Sequence, residues 1–496
     1  MMSLTIDVLN LEEPHLEFGS GGEHIDPKIG LREFGPLSLR FGPAHREHVR
    51  VGLVGPKSAI NLARFWFTRC QDYIKSESTN KTLHPDFPGF QSVFRSALEL
   101  SNLWEWEIWD DRLEKALSHS PQKRFDAVLA LYAKGIRNLR GRELRPDVVV
   151  ACLSDEVITR CRRVEAPKLT RRERKRLSRQ QQGQMALPGM EELVAVEDTL
   201  LYRDFRRALK ARAMDIGIPI QIATDNLFVD SESNENPASR AWNVSLALFY
   251  KAGGFPWRLK SLAPETCYVG VSFHHLRTRQ RHSVFSSLAQ AFPVGGEGFA
   301  LRGDSVPWNR DSDDRNLYLS EDQAISLGER ILDQYRQRIG INPLRVVLYK
   351  TSQFNADEQD GFQAAFSQIP VVEMINLHPS DFRLVRRGAY PPRRGTVVNV
   401  SKTHYLFTNG YFPYWNTYMG AHIPVPYEVK ALGNIDPIQV CSDILGLTKL
   451  NWNSARAFTS SPIPLRFARE VGSIMSHYAE LKGEDVEPEP SYRFYM

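Results

Sequence analysis

The chain has 496 residues, 42% of them hydrophobic and 24% charged, with 63 Lys+Arg against 58 Asp+Glu and a formal charge of +5. This is the make-up of a folded protein rather than a disordered one, and at roughly 100–200 residues per domain the length predicts two to four domains. No apolar run approaches the ~18–20 residues of a membrane helix, the N-terminal stretch with Asp7, Glu12 and Glu13 lacks a secretory pattern, and the five cysteines form no CxxC pair. A membrane span, secretion, a disulfide framework and a zinc module are therefore disfavoured, and a reduced, cytoplasmic setting is expected.

Residues 1–45 are rich in turn formers (Gly19, Gly21, Gly22, Pro27, Gly30, Gly35, Pro36) and read as an extended leader or linker. Val49–Val54 then reads as a buried strand and Ser58–Gln71 as a helix. A helix around Phe125–Asn138 precedes a second buried strand, Asp147–Leu153. Between Arg160 and Arg179 stand ten Lys/Arg and two Glu, a local net of +8, so the rest of the chain is near −3. This run leads into the Gln-rich Gln180–Gly189. It reads equally as a phosphate-contacting arm and as a solvated basic insertion spanning about 160–190. Helix Leu201–Asp215 and strand Ile218–Ala223 complete a βα alternation, which predicts a Rossmann-like parallel sheet within 46–255.

A second unit, 256–496, begins after Gly253-Gly254-Phe255-Pro256. Tyr268–His275, His282–Gln290 and Gly298–Arg302 read as three strands in hairpin order. Ser320 with Gln323 forms a capping box that opens a helix, and Leu344–Lys350 is another buried strand. Three strands, a helix and a fourth strand is the opening order of a ribonuclease-H-like sheet, so the expected class is α/β throughout.

Several motifs carry less than they suggest. Gly52-Leu-Val-Gly55-Pro-Lys57-Ser58 has two residues between its glycines and a proline before the lysine, so it reads as a strand-to-helix turn and not a Walker A loop. His274 and His275 are adjacent on a strand and point to opposite faces, so with His282 they make no metal site. Asp357, Glu358 and Asp360 suit the N-terminus of the next helix. Arg383, Arg386, Arg387, Arg393 and Arg394, around a Gly/Pro-rich stretch, fit either a groove contact or a solvated loop. One set is weightier: Arg206 and Lys210, four apart on one helix, Gln221 on the next strand and Lys251 at a helix end could converge on a phosphate. Taken alone, three cations over that span are easily found by chance.

Context changes that reading. Lys251-Ala-Gly-Gly-Phe-Pro-Trp257 resembles the junction between the MID and PIWI domains of Argonaute proteins, and Leu447-Thr-Lys-Leu-Asn-Trp-Asn453 with Pro462-Ile-Pro-Leu-Arg-Phe-Ala468 resembles the late PIWI signature. Phe205–Met214 with Ile218-Pro-Ile-Gln221 is similar to the MID pocket, and Glu13–Gly19 with Asp26–Gly30 to the start of short prokaryotic Argonautes. The resemblance implies a MID–PIWI protein without N or PAZ domains. It implies that Arg206, Lys210, Gln221 and Lys251 hold the 5′-phosphate of a guide, with Arg206 standing where the family often has a base-stacking Tyr. In some relatives a divalent cation such as Mg²⁺ sits between that phosphate, the glutamine and the terminal carboxylate, here Gln221 and Met496.

The resemblance also places the carboxylates of cutting Argonautes at Ser272, Thr351 and Arg469, and none is a carboxylate here; the glutamate finger cannot be aligned, with Glu297 and Glu329 the nearest choices. Two divalent ions need several carboxylates, so no slicing is expected. The implied function is a subunit that binds guide RNA, recognises single-stranded DNA target, and activates a separate APAZ-domain effector (a TIR or sirtuin-type NAD hydrolase, or a nuclease) against plasmids or phage. A guide-directed endonuclease with a non-standard site, and a generic basic nucleic-acid binder, are the competing readings.

Overall fold

The computed structural model describes residues 6–165, 202–231, 235–260, 265–275, 284–293, 298–307, 317–385, 391–482 (apart from 402, 421 and 434), 486 and 488–496. The stretch read as an extended leader is built into the fold. β1 (Ile6–Asn10) pairs antiparallel with residues 396–400, Ile6 opposite Val400. β2 (Leu16–Glu17) and β3 (Glu23–His24) form a small sheet, and α1 (Pro27–Phe34) starts at Asp26, whose carboxylate accepts from Lys28 N–H and from Trp415 Nε1, both at 2.9 Å. The turn formers separate short elements rather than mark a linker.

β4 (His48–Gly55), α2 (Lys57–Arg69), β5 (Ala97–Glu107), α3 (Pro121–Arg140) and β6 (Val148–Leu153) follow. A short hairpin of β7 (Arg163–Glu165) and β8 (Tyr202–Asp204) leads to α4 (Phe205–Ile216) and β9 (Ile220–Thr224). The parallel sheet has the order β5-β4-β6-β9. All six residues of β6 are buried, because both faces are covered: Val148, Val150 and Cys152 pack with α2, and Val149, Ala151 and Leu153 with α3 and α4. The helix expected from Leu201 starts instead at Phe205; Tyr202–Asp204 is paired as a strand and Asp204 caps the helix, accepting from Arg207 N–H. Most of the basic run Arg160–Arg179, from 166 onward, lies outside the described residues. Within its described part, Arg160 pairs with Glu156 at 2.7 Å and Arg163 approaches Asp204 at 4.0 Å.

α5 (Pro237–Lys251), capped by Asn236, is buried almost all round and carries the chain to β10 (Arg258–Leu259), which joins β2. β11 (Thr266–His275), β12 (Val284–Pro293), β13 (Phe299–Pro307), α6 (Glu321–Ile339), β14 (Arg345–Lys350), α7 (Ala356–Ala365) and β15 (Val371–Pro379) come next. β16 (Thr396–Val400), β17 (Thr403–Leu406), β18 (Tyr427–Leu432), α8 (Pro437–Leu447) and α9 (Ile463–Lys482) follow. Among the described residues one sheet has the order β1-β16-β17-β18-β15-β14-β11-β12-β13. Its core, β13-β12-β11-β14-β15, is antiparallel on one side of β11 and parallel on the other, the ribonuclease-H-like arrangement expected from the element order. Ser320 and Gln323 close the capping box of α6. Asn355 caps α7; Glu358 completes that box but also turns inward, its carboxylate taking Lys350 Nζ at 2.6 and 2.7 Å. α6 and α7 cover one face of the sheet and α9 the other. A Cβ on Gly270 would lie 2.1 Å from the Pro464 carbonyl oxygen, so only glycine lets α9 sit this close to β11. No helix among the described residues is long and apolar enough to cross a membrane.

A buried ionic knot joins the ends of the chain. Glu13 accepts from Arg394 Nε at 3.0 Å and from Lys449 Nζ at 2.7 Å, and both cationic side chains are fully buried. Lys449 also donates to the carbonyls of Pro14 (2.9 Å) and Ile25 (2.8 Å), and Arg394 lies 4.1 Å over the Phe458 ring. Arg394 is thus not a groove arginine. Of its companions, Arg383 donates to the Ser380 and Phe382 carbonyls, Arg393 is exposed, and Arg386 and Arg387 lie outside the described residues. Burial pushes the Glu13 carboxyl up, but Arg394 and Lys449 outweigh it and hold it below its ordinary value of 4.5. Glu13→Ala leaves two buried cations unpaired and is expected to cost about 3–5 kcal/mol in urea unfolding at pH 7. Because the folded pKa is depressed, the stabilisation is complete above the unfolded value and shrinks as pH falls through the folded one, so the gap between wild type and variant should narrow as pH falls below 4.5.

Candidate nucleic-acid interface

Asp204 starts α4 so that Arg206 and Lys210 fall on one face, one turn apart. Arg206 is exposed; Lys210 is partly buried and its Nζ donates to the Tyr495 carbonyl at 3.0 Å. Gln221 lies on β9, paired with Val150 of β6, and Lys251 ends α5. Lys251 is 3% exposed, and its Nζ donates to Gln221 Oε1. The C-terminal 3-10 turn Tyr492–Phe494 rests against α4 and α5, and Tyr495 and Met496 are buried behind it. Elements far apart in sequence (α4, β9, α5 and the last residues) therefore meet at one place.

The charges there are poorly compensated. Burial lowers Lys251 well below its ordinary value, Lys210 lowers it further, and Glu470 on α9 opposes both. Burial also lowers Lys210, with Glu470 opposing and Arg206 and Arg207 adding to it. The hydrogen-bond partners of both ammonium groups are neutral oxygens, a side-chain amide and a backbone carbonyl. Such a site favours an anion with several acceptor oxygens, since each buried cation gains most from a charged partner. It does not fit a divalent cation by itself: Gln221 Oε1 is engaged by Lys251, and the flanking lysines repel a second cation. The expected Mg²⁺ at Gln221 and Met496 would need oxygens brought by a bound phosphate.

Of the positions aligned with a cutting centre, Ser272 and Thr351 fall on one face of the sheet. Gly270 on β11 stands opposite Tyr349 on β14, and strand alternation puts Ser272 and Thr351, two residues on, on the same face. That is the face covered by α9, which contains Arg469; the Arg469 side chain lies outside the described residues. The Ser272 hydroxyl is buried with no hydrogen-bond partner. Among the described residues no group of three or more His, Cys, Asp or Glu could hold a metal ion. Glu329 lies on α6, across the sheet from Ser272, so it is not part of this centre, and Glu297 lies outside the described residues.

No family model and no curated protein matches the sequence. Solved structures do. The Clostridium butyricum Argonaute, bound to a guide DNA with a 5′ deoxycytidine and a 19-mer target DNA, aligns over 99% of this chain and 55% of its own, with TM-score 0.64 and 14% identity. A. aeolicus Argonaute aligns over 98% and 55% (TM-score 0.56, 14% identity), and Drosophila Piwi over 99% and 56% (0.56, 12%). The fold is the MID–PIWI half of an Argonaute. The chain spans about half the length of the structures it matches, and at this identity the likeness is one of fold.

In these terms the cationic pocket belongs to the MID sheet and the helices beside it, closed by a C-terminal tail that follows the PIWI sheet. Lys210, Gln221 and Lys251 meet there, with the Tyr495 carbonyl, one residue before Met496, on Lys210 and with Arg206 exposed one turn away on α4. Sequence reasoning missed Glu470 and the Tyr495 carbonyl. A carbonyl has no sequence signature, and Glu470 adjoins Arg469, which drew attention only as a catalytic position. Replacing a buried, poorly paired ammonium by an apolar group of similar length should relieve its desolvation. Lys251→Met is therefore expected to raise the stability of the free chain by about 1–3 kcal/mol while weakening binding of 5′-phosphorylated oligonucleotides at least ~10-fold. Thermal unfolding with and without oligonucleotide reads both; a lower stability in the free variant would show that Lys251 is a structural residue.

Proposed function

We propose that the chain is a guide-binding Argonaute subunit that recognises nucleic acid without cutting it. It holds the 5′-phosphate of a guide RNA with Lys210 and Lys251, Gln221 completing the pocket and Arg206 gripping the phosphate or stacking on the first base from the rim. The guide then pairs with a single-stranded DNA target along the PIWI sheet. The single observation that carries this reading is the meeting of Lys210 and Lys251 at one place with only neutral hydrogen-bond acceptors. A divalent ion such as Mg²⁺, reaching Gln221 and the Met496 carboxylate, belongs to the proposal only with the phosphate in place.

Hydroxyls at Ser272 and Thr351 and a guanidinium at Arg469 cannot neutralise two divalent ions, which supports recognition without cleavage. Recognition then needs another protein to act on it. An APAZ-domain effector, NAD-hydrolysing or nucleolytic, switched on by target pairing in defence against plasmids or phage, is the partner this reading proposes. In a binding assay wild type should prefer a 5′-phosphorylated to a 5′-hydroxyl guide by at least ~10-fold, and Lys210→Ala should abolish that preference. A guide-loaded chain should leave a matched target intact in Mg²⁺ or Mn²⁺. Cleaved target would instead establish the guide-directed endonuclease.

A further inference from the structure

Two guanidinium groups close over a single backbone carbon beside the pocket. Gly253 stands two residues after Lys251 with φ +106°, a conformation that favours glycine. A Cβ built on it would lie 3.0 Å from Arg493 Nη1, and 3.2 and 3.4 Å from Nε and Nη2 of Arg46. Nitrogens of the two side chains are therefore within about 6 Å of each other, where like charges repel. Three distant segments supply this arrangement: Arg46 from the chain entering β4, Gly253 from the junction after α5, and Arg493 from the C-terminal turn.

The compensation shown for Arg46 is slight. Its side chain is 49% exposed and its Nη1 stands 3.8 Å from Asp147 Oδ1, while Asp147 Oδ2 is taken by the Arg50 backbone N–H at 2.9 Å. Gly253 and Arg493 adjoin two of the segments that build the pocket, since Gly253 follows Lys251 and Arg493 is two residues before Tyr495, whose carbonyl holds Lys210. Its groups are separate from Lys210 and Lys251, which make the pocket's own contacts. With no side chain on Gly253, an anion can come down onto the backbone between the two planar forks, each able to meet the non-bridging oxygens of a phosphodiester.

We infer that Arg46 and Arg493 together grip an internal phosphodiester of the strand whose 5′-end occupies the pocket. The inference rests on the guide-binding reading and adds to it a contact that discriminates a polynucleotide from a lone terminal phosphate. It also gives the C-terminal turn a direct part in holding the strand.

The test measures binding of 5′-phosphorylated oligonucleotides that carry a neutral methylphosphonate at one of the first four linkages. In wild type, one of these substitutions should weaken binding by about 5–10-fold. Arg46→Ala, on an exposed side chain, should weaken binding of the all-phosphate strand by a similar factor, flatten its salt dependence by about one unit, and show no further loss with that same methylphosphonate. Arg493→Ala should behave alike, with Arg493→Lys restoring part of the loss. The 5′-phosphate over 5′-hydroxyl preference should survive Arg46→Ala. If Arg46→Ala leaves the all-phosphate affinity unchanged, or its loss adds fully to that of every methylphosphonate, the pair grips no phosphodiester. Failure of the guide-binding reading appears elsewhere, as a wild type with no 5′-phosphate preference.

Discussion

Glu13, Arg394 and Lys449 form the interaction on which the working parts of the molecule depend. Lys449 reaches the leader through its ammonium group, and its carbonyl oxygen accepts from Trp257 Nε1 at 3.0 Å. Trp257 ends the turn that begins at Lys251, and Tyr250, just before that turn, and Phe255, within it, pack on Trp452 with ring centroids 5.0 and 5.1 Å away. Asn243 of α5 accepts from the Ala455 N–H at 3.0 Å. The end of α5 is thus fixed from several directions, and with it the place where the Lys251 side chain can go. A buried ion pair is weak evidence for stability but strong evidence for register; here it registers the leader, the junction and the PIWI unit against one another.

That frame sets up two sites of opposite character. In the MID pocket the chain buries ammonium groups and offers them neutral acceptors, leaving the site short of negative charge. In the PIWI unit the positions that the resemblance aligns with a cutting centre are Ser272, Thr351 and Arg469, and none of the three is a carboxylate. In the proposed function the first arrangement would favour a phosphorylated strand, and the second would leave the paired strand uncut. Together they describe a recognition device, and α9 links them physically, since Arg469 and Glu470 are neighbours on one helix between the two sites.

Much of this was legible in the sequence. Largely apolar segments at 49–54, 147–153 and 344–350 announced the covered strands of both sheets, and Ser320 with Gln323 announced α6, because burial on both faces and capping leave local patterns. What was lost depended on distant partners. β1 pairs with residues almost four hundred positions away, so Gly- and Pro-rich sequence looked like a linker. Nothing local marks β5, whose pairing with β4 shifts register between Val51 and Leu53. Arg394 looked exposed beside Pro391 and Gly395, and only Glu13, from the other end of the chain, explains its burial. The pocket was found because Lys251-Ala-Gly-Gly resembles a known junction; spacing alone would not have joined it to Lys210.

The charge balance of the MID pocket is the central claim, and proton linkage tests it most directly. In the free chain burial lowers the pKa of Lys210 and Lys251, whereas a bound phosphate would raise both, so proton uptake is expected on binding. Calorimetry above pH 7, where the phosphate is already a dianion, in buffers of different ionisation enthalpy reports that uptake. The account expects net uptake with a 5′-phosphorylated guide and none with its 5′-hydroxyl counterpart, and an affinity for the former that falls as pH rises towards 10.5, the ordinary lysine value. Equal proton traffic for both guides, with equal affinity across that range, would contradict it.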